Sequence, residues 1–387
     1  MKSDRARVAP HVAELPKSGI RKFFDIVAQS KDIVSLGVGE PDFDTPWHIS
    51  RAAVTCLEEG GTHYTSNLGT PALRQAICRY LDRRFEAKFD WSKEVLVTVG
   101  VSEAIDLAIR AVCSPGDEVL YHEPCFVSYA PTVRLAHAVP VAVETHVEDE
   151  FRLTVEALEA KVTPKTKAIL LNFPCNPTGA TLGRDDIAAI LAFAERHDLL
   201  VLADEVYSEL NYDASQLTSF ASFPAFHDRV ILLNGFSKSW AMTGYRLGYA
   251  CGPSDVIDAM MKIHQYGIMS APTLSQAAGV EAMDRGDRDV LRMREEYRRR
   301  RDFLVPALNA MGLKTVMPKG AFYIFSDIRS TGLSSEEFAM RLLKEHGVAV
   351  VPGSAFGACG EGFVRMSYAT SLEKIRLAAE RIAQMLK

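Results

Sequence analysis

The chain has 387 residues, of which 48% are hydrophobic and 24% charged, with a formal net charge of -5, a balance that supports a large soluble core and two domains. A pI near 6.1 leaves no basic footprint for nucleic acid or an anionic membrane, so small-molecule chemistry is expected. The seven cysteines are odd in number and scattered, with no C-x-x-C pair, which argues against a disulfide framework or a zinc site and fits a reducing cytoplasm.

The first twenty residues, "MKSDRARVAPHVAELPKSGI", lack the apolar core of a signal peptide, and no run of about 18 apolar residues follows, so neither secretion nor membrane spanning is expected. Apolar runs then alternate with amphipathic stretches, the pattern of an α/β protein. "EVLVTVG" (Glu94 to Gly100) reads as a strand entering the helix "SEAIDLAIRAVC", and "GDEVLYHEP" as the next strand. "KAILLNFP", "LLVLADEVY" and "RVILLNGF" are continuous apolar runs, suited to parallel strands buried on both faces. From about Ser275 a long charged helix, "DRGDRDVLRMREEYRRRRDFLVPALNAMG", leads into a smaller α+β unit made of "GAFYIFSDI", "SSEEFAMRLLKEHG", "GFVRMSYAT" and a C-terminal helix. The run Arg299 to Arg301 reads as that helix's solvated face.

Polar residues stand at the ends of the apolar runs, where open α/β sheets bind ligands. Asp204 ends "LLVLA" and reads either as a cap of the following turn or as a buried acceptor for a cation or a protonated ring nitrogen. Asn176, between two prolines in "NFPCNPTGA", lies in a turn and would also make a rigid hydrogen-bonding group. Ser102 is expected to cap a helix whose free N–H groups form an anion site. Lys238 follows "ILLNGFS"; it is a solvated surface lysine or, if desolvated, an amine nucleophile toward a carbonyl. Ser237 and Arg246 beside it could hold a phosphate.

Nucleotide-binding patterns fail on inspection. "NGFSKS" lacks the glycine that a P-loop needs before its lysine, and "GVGEPDF" has Asp42 where a dinucleotide fingerprint needs its third glycine. No H-E-x-x-H or G-x-S-x-G occurs, and the histidines are dispersed, so no metal is expected.

The ordered set "SLGVGEPDF", "HYTSNLGTPALRQAI", "VTVGVSEAI", "NFPCNPTGA", "ADEVYSEL", "NGFSKSWAMTGYRLGYA" and "GFVRMSYAT" resembles the fold-type I, class I/II aminotransferases that use pyridoxal 5'-phosphate, from about Gly19 to the C-terminus. Within them it is similar to the prokaryotic aspartate/aromatic aminotransferase-like subgroup. The resemblance implies a large cofactor-binding domain over 46–285, with a mostly parallel central sheet flanked by helices, and a smaller α+β domain from 1–45 and 286–387 that closes over the substrate together with "SGIRKFF".

It also implies roles. Lys238 would form the internal aldimine and carry the proton between substrate and cofactor, and Asp204 would keep the pyridine nitrogen protonated so that the ring draws electrons. Asn176 and Tyr207 would bond the phenolic oxygen, and Phe126 would stack on the ring. Val101 through its N–H, Ser102, Ser237 and Arg246 would hold the phosphate. Tyr64 would reach that phosphate from a neighbouring subunit, which makes a homodimer the expected assembly. Gly39, Asn176 and Arg365 would bind the substrate, Arg365 by clamping the α-carboxylate.

The implied activity is ping-pong transfer of an amino group from an L-amino acid to a 2-oxo acid in the cytoplasm. A carbon–sulfur β-lyase on the same scaffold shares every cofactor residue, and a non-catalytic ligand-binding protein is the reading from another class. No lysine or arginine can be assigned to an acidic substrate side chain. Ile20 and Phe322 would accept an aromatic or aliphatic one.

Overall fold

The computed structural model describes residues 7–15, 32–213 and 218–387. Ile20 and the stretch "SGIRKFF" lie outside these residues. The strands in chain order are β1 (Val34–Ser35), β2 (Val95–Thr98), β3 (Glu118–Glu123), β4 (Val139–Glu144), β5 (Thr166–Asn172), β6 (Leu200–Asp204), β7 (Val230–Gly235), β8 (Gly248–Cys251), β9 (Tyr323–Asp327), β10 (Val348–Ala349), β11 (Val351–Pro352) and β12 (Phe363–Ser367). The protein is α/β, and its central seven-stranded sheet has the order β2-β8-β7-β6-β5-β3-β4. Only β8 runs against its neighbours.

The continuous apolar runs form these strands because both faces of the sheet are covered. Alternation along β5 sends Ala168 and Leu170 into one core, with Ile105 and Leu107 of the helix Val101–Val112. Ile169 and Leu171 enter the opposite core, with Ile190 and Leu191 of the helix Arg184–Arg196. Each fully buried Leu or Ile contributes roughly 1.5–3 kcal/mol, so a one-residue slip of register would expose neither face and gain nothing; identity here is set by packing volume.

The parallel register then fixes the site. Asn172 at the end of β5 lies opposite Asp204 at the end of β6, and Asp204 opposite Leu233 on β7. A second, antiparallel sheet of order β11-β12-β9 carries Arg365 on β12, and β1 pairs in parallel with β10. A 24-residue helix, Asp287–Ala310, packs beside them.

That helix corrects the reading of its arginines. Arg299 is solvated, but Arg300 is 5% exposed and bonds Asp42 at 2.7 Å and Glu296 at 3.1 Å. Arg301 reaches the Pro318 carbonyl at 2.9 Å. Successive helical residues turn by about 100°, so a run of three cannot share one face. Arg300 instead ties the segment Gly39–Asp42 to the helix.

The seven cysteines are free, and no helix of the described residues is long and apolar enough to cross a membrane.

Candidate active site

A cavity of about 400 Å³ opens at the carboxyl ends of β5, β6 and β7. Gly39, Val101, Ser102, Phe126, Asn176, Asp204, Tyr207, Ser237, Lys238, Arg246 and Arg365 all line it. Tyr64 does not: it is 82% exposed, on the loop between the helices Trp47–Glu58 and Pro71–Phe85.

Asp204 is buried at the end of β6. Its Oδ1 accepts the Val206 N–H at 3.2 Å, so it does brace the following turn, and its Oδ2 accepts the Tyr129 hydroxyl at 2.7 Å. Burial pushes its carboxyl up to about 6, opposed first by the Tyr129 hydrogen bond. Asn172 organises the neighbouring turn: its Nδ2 donates to the Asp204 carbonyl at 2.9 Å and its Oδ1 accepts the Asn176 N–H at 3.0 Å.

Lys238 is half-buried, and its Nζ donates to the Gly39 carbonyl at 2.6 Å. Burial pushes its ammonium down to about 8, with Glu40 acting in the opposite direction and Arg365 and Arg246 reinforcing the fall. The amine is therefore unprotonated far more often near neutral pH than a solvated lysine, the condition for attack on a carbonyl.

One end of the cavity is built for an anion. The helix Val101–Val112 starts one residue before Ser102: its N-cap is Gly100, at φ 78°, with no side-chain cap. Ser102 therefore does not cap the helix as expected; it sits in the first turn, exposed, with its side chain free for the cavity. A Cβ on Gly100 would lie 2.7 Å from Arg246 Nη2, so glycine lets the guanidinium approach the helix start, where N–H groups point outward. Ser237 completes this end.

At the other end Arg365 is 3% exposed. Its Nη1 donates to Asn176 Oδ1 at 2.9 Å and its Nη2 to the Gly37 carbonyl at 2.5 Å, while its Nε has no partner. The guanidinium lies over the rings of Tyr323 and Phe356, at 4.5 and 4.9 Å. No carboxylate among the described residues forms an ion pair with it. A buried cation satisfied only by neutral groups is a receptor for an incoming carboxylate.

Sequence reading missed several lining residues: Tyr323, Glu40 and Thr243. The Tyr323 hydroxyl bonds that of Tyr207 at 2.9 Å and lies 2.6 Å from where a Gly39 Cβ would stand. Thr243 donates to Glu40. "GAFYIF" contained the signal, since alternate strand residues face opposite sides; Tyr323 faces the cavity, so Phe322 turns into the core. Phe322 is fully buried and does not line the cavity, although its ring centre is 5.9 Å from Lys238 Nζ.

Comparison with known proteins agrees with this chemistry. The family model "Aminotransferase class I and II" matches residues 31–382. An aspartate aminotransferase of Pyrococcus abyssi is 49% identical over 96% of both chains, and the aromatic-amino-acid aminotransferase 2 of Thermococcus litoralis 46% identical, also over 96% of both. The crystal structure of an aromatic aminotransferase from Pyrococcus horikoshii OT3 superposes with a TM-score of 0.90 at 47% identity, covering 94% of this chain and 98% of that one. With a family match and relatives that span nearly the whole sequence, the chain belongs to the class I and II aminotransferases, pyridoxal phosphate-dependent enzymes that move an amino group from an amino acid to a 2-oxo acid.

Proposed function

We propose that this cavity binds pyridoxal 5'-phosphate, with Lys238 as the residue that holds its aldehyde carbon. The observation that carries the reading is the position of Lys238: a desolvated amine faces one cavity with the buried carboxylate of Asp204 and the uncompensated guanidinium of Arg365. The donor set fits the cofactor. Val101 N–H, Ser102, Ser237 and Arg246 suit a phosphate, Asp204 suits a protonated pyridine nitrogen, and Phe126 offers a ring face to stack on.

When bound, the cofactor supplies an aldehyde that condenses with amines and a protonated ring that withdraws electrons from the α-carbon. Arg365 binds the α-carboxylate and so orients the Cα–H bond. Asn176 lines the cavity with its Oδ1 occupied by Arg365, so its amide offers a ligand only Nδ2 donors, which with the Tyr207 hydroxyl can stabilise an anionic phenolic oxygen. Lys238 Nζ, free once the substrate amine has replaced it at the aldehyde carbon, would take the proton from the amino acid's α-carbon, and its lowered affinity for protons would let it pass that proton on, rather than back to the α-carbon, near neutral pH. The smaller domain expected over 1–45 and 286–387, of which 7–15, 32–45 and 286–387 are described, would close over the substrate and exclude water.

The assembly is a homodimer in the cytoplasm, with Tyr64 completing the phosphate site of the other subunit. Trp47, Leu57, Tyr64, Tyr266 and Ile268 are all about half exposed or more, and Asn67 and Thr273 bond the carbonyls of Met269 and His63 at 2.7 Å, which joins the loops that carry Tyr64 and Ile268. Such a surface calls for a partner.

A panel of amino donors against 2-oxoglutarate, pyruvate and oxaloacetate tests the function. Transfer that depends on an oxo acid supports it; release of pyruvate and ammonia from cysteine or cystathionine without one would assign a β-lyase instead.

A further inference from the structure

The hydrogen bond from Tyr129 to Asp204 is not used by any step above. Tyr129 is fully buried at the start of the helix Tyr129–Leu135 and does not line the cavity. It reaches the site through two residues that do: its hydroxyl donates to Asp204 Oδ2 at 2.7 Å, and its ring stands edge-on to Phe126 at 5.8 Å and 84°. We propose that Tyr129 is a positioning residue for amino transfer, whose hydroxyl holds Asp204 as a carboxylate aimed at the cofactor's ring nitrogen and whose ring sets the plane of Phe126. The proposal rests on the reading that the cavity binds pyridoxal phosphate.

A carboxylate in a buried site competes poorly with its own acid form, because burial disfavours charge. Asp204 has few fixed donors to counter this: the Val206 N–H on Oδ1 and the Tyr129 hydroxyl on Oδ2. Glu205, next in the chain, is turned away toward the Ser219 hydroxyl and the Phe220 N–H, at 3.0 and 2.8 Å. The Tyr129 phenol keeps its proton, since burial and the Asp204 charge hold it well above the ordinary phenol range, so the hydroxyl has a proton to give to the carboxylate. Donated to Oδ2, its bond favours the anion. Without it, Asp204 becomes more basic and draws the proton off the ring nitrogen, which weakens the ring's pull on electrons.

The test uses Tyr129→Phe, which keeps the ring and its packing and deletes only the hydroxyl. Wild-type and variant holoenzymes are prepared with pyridoxal phosphate isotope-labelled at the pyridine nitrogen, and the nitrogen resonance is read by NMR beside kcat, KM and melting temperature. The wild type is expected at the protonated position and the variant displaced toward the unprotonated one, with kcat lower by roughly tenfold. The KM for the amino donor changes little, since Arg365 is untouched. In an Asp204→Asn background, Tyr129→Phe should add no further loss. A variant whose nitrogen resonance matches wild type overturns the proposal, whether or not its stability falls, as does a loss that simply adds to that of Asp204→Asn. A wild-type chain that takes up no cofactor overturns the cofactor reading itself, so the two failures are distinct.

Discussion

Arg365 Nη1 donates to Asn176 Oδ1 at 2.9 Å inside the protein, so the orientation of the asparagine amide is set by the arginine that is proposed to receive the substrate. The loop after β5 and the strand β12 are thereby coupled at the point where a carboxylate would arrive.

Arg365→Lys should keep a positive charge but lose the planar fork, and a lysine cannot span both Asn176 and an incoming carboxylate. The KM for amino donors is expected to rise by roughly a hundredfold, equivalent to about 2–3 kcal/mol for a charged hydrogen-bonding pair, while cofactor affinity stays near wild type. Steady-state kinetics together with cofactor titration separates these. Equal losses in both would mean that the arginine supports the whole cavity rather than the substrate.

Gly100 provides a second test. Alanine there must take φ 78° and push Arg246 Nη2 away from its Cβ. At φ 78° and ψ 168° the backbone lies in a region essentially confined to glycine, so alanine costs on the order of 1–3 kcal/mol there, which a melting temperature reads separately, and the guanidinium is displaced from the helix start. Gly100→Ala should therefore weaken binding of pyridoxal phosphate by roughly tenfold or more and leave the affinity for unphosphorylated pyridoxal little changed. Fluorescence titration of both ligands checks the difference.

The amine of Lys238, with its ammonium near 8 instead of 10.5, should be captured by pyridoxal phosphate with a pH dependence of its own. The neutral fraction grows as pH rises and reaches half near 8. Borohydride trapping of cofactor on the apo chain should rise with pH around that midpoint, and Lys238→Ala should trap none at this position. Glu40 is the largest influence that raises the pKa, so Glu40→Gln removes a negative charge and should move the midpoint lower. A midpoint near that of a free lysine would show the amine to be solvated.

Tyr64 tests the shared site. Chains carrying Lys238→Ala and chains carrying Tyr64→Ala, mixed and allowed to exchange subunits, should regain activity, because in the hybrid one site has both wild-type residues. Mixtures no more active than the separate variants would place Tyr64 outside its neighbour's site.

The sheet and most of the cavity were legible because they depend on local pattern. Runs such as "KAILLNFP" become strands when buried on both faces; Asp204 and Lys238 follow such runs, and Arg365 stands in a motif of the family resemblance. What failed depended on distance or on angle. Tyr129 meets Asp204 across 75 residues, and Tyr323 meets Tyr207 across 116, separations at which no periodicity operates. A run of like charges conceals the helix rotation that buries Arg300 while Arg299 beside it stays solvated. Serine favours the N-cap, which makes Ser102 the cap expected from sequence, but the approach of Arg246 requires glycine there, and that need is visible only in three dimensions.

The most direct measurement is the half-reaction. Purified holoenzyme is given an amino donor with no oxo acid, and the cofactor's absorption is followed. It should convert once, in proportion to sites, to that of the pyridoxamine form, with one oxo acid released per site, and return when a 2-oxo acid is added. A protein with no cofactor absorption, or one that turns over the donor continuously without an acceptor, would contradict amino-group transfer at this site.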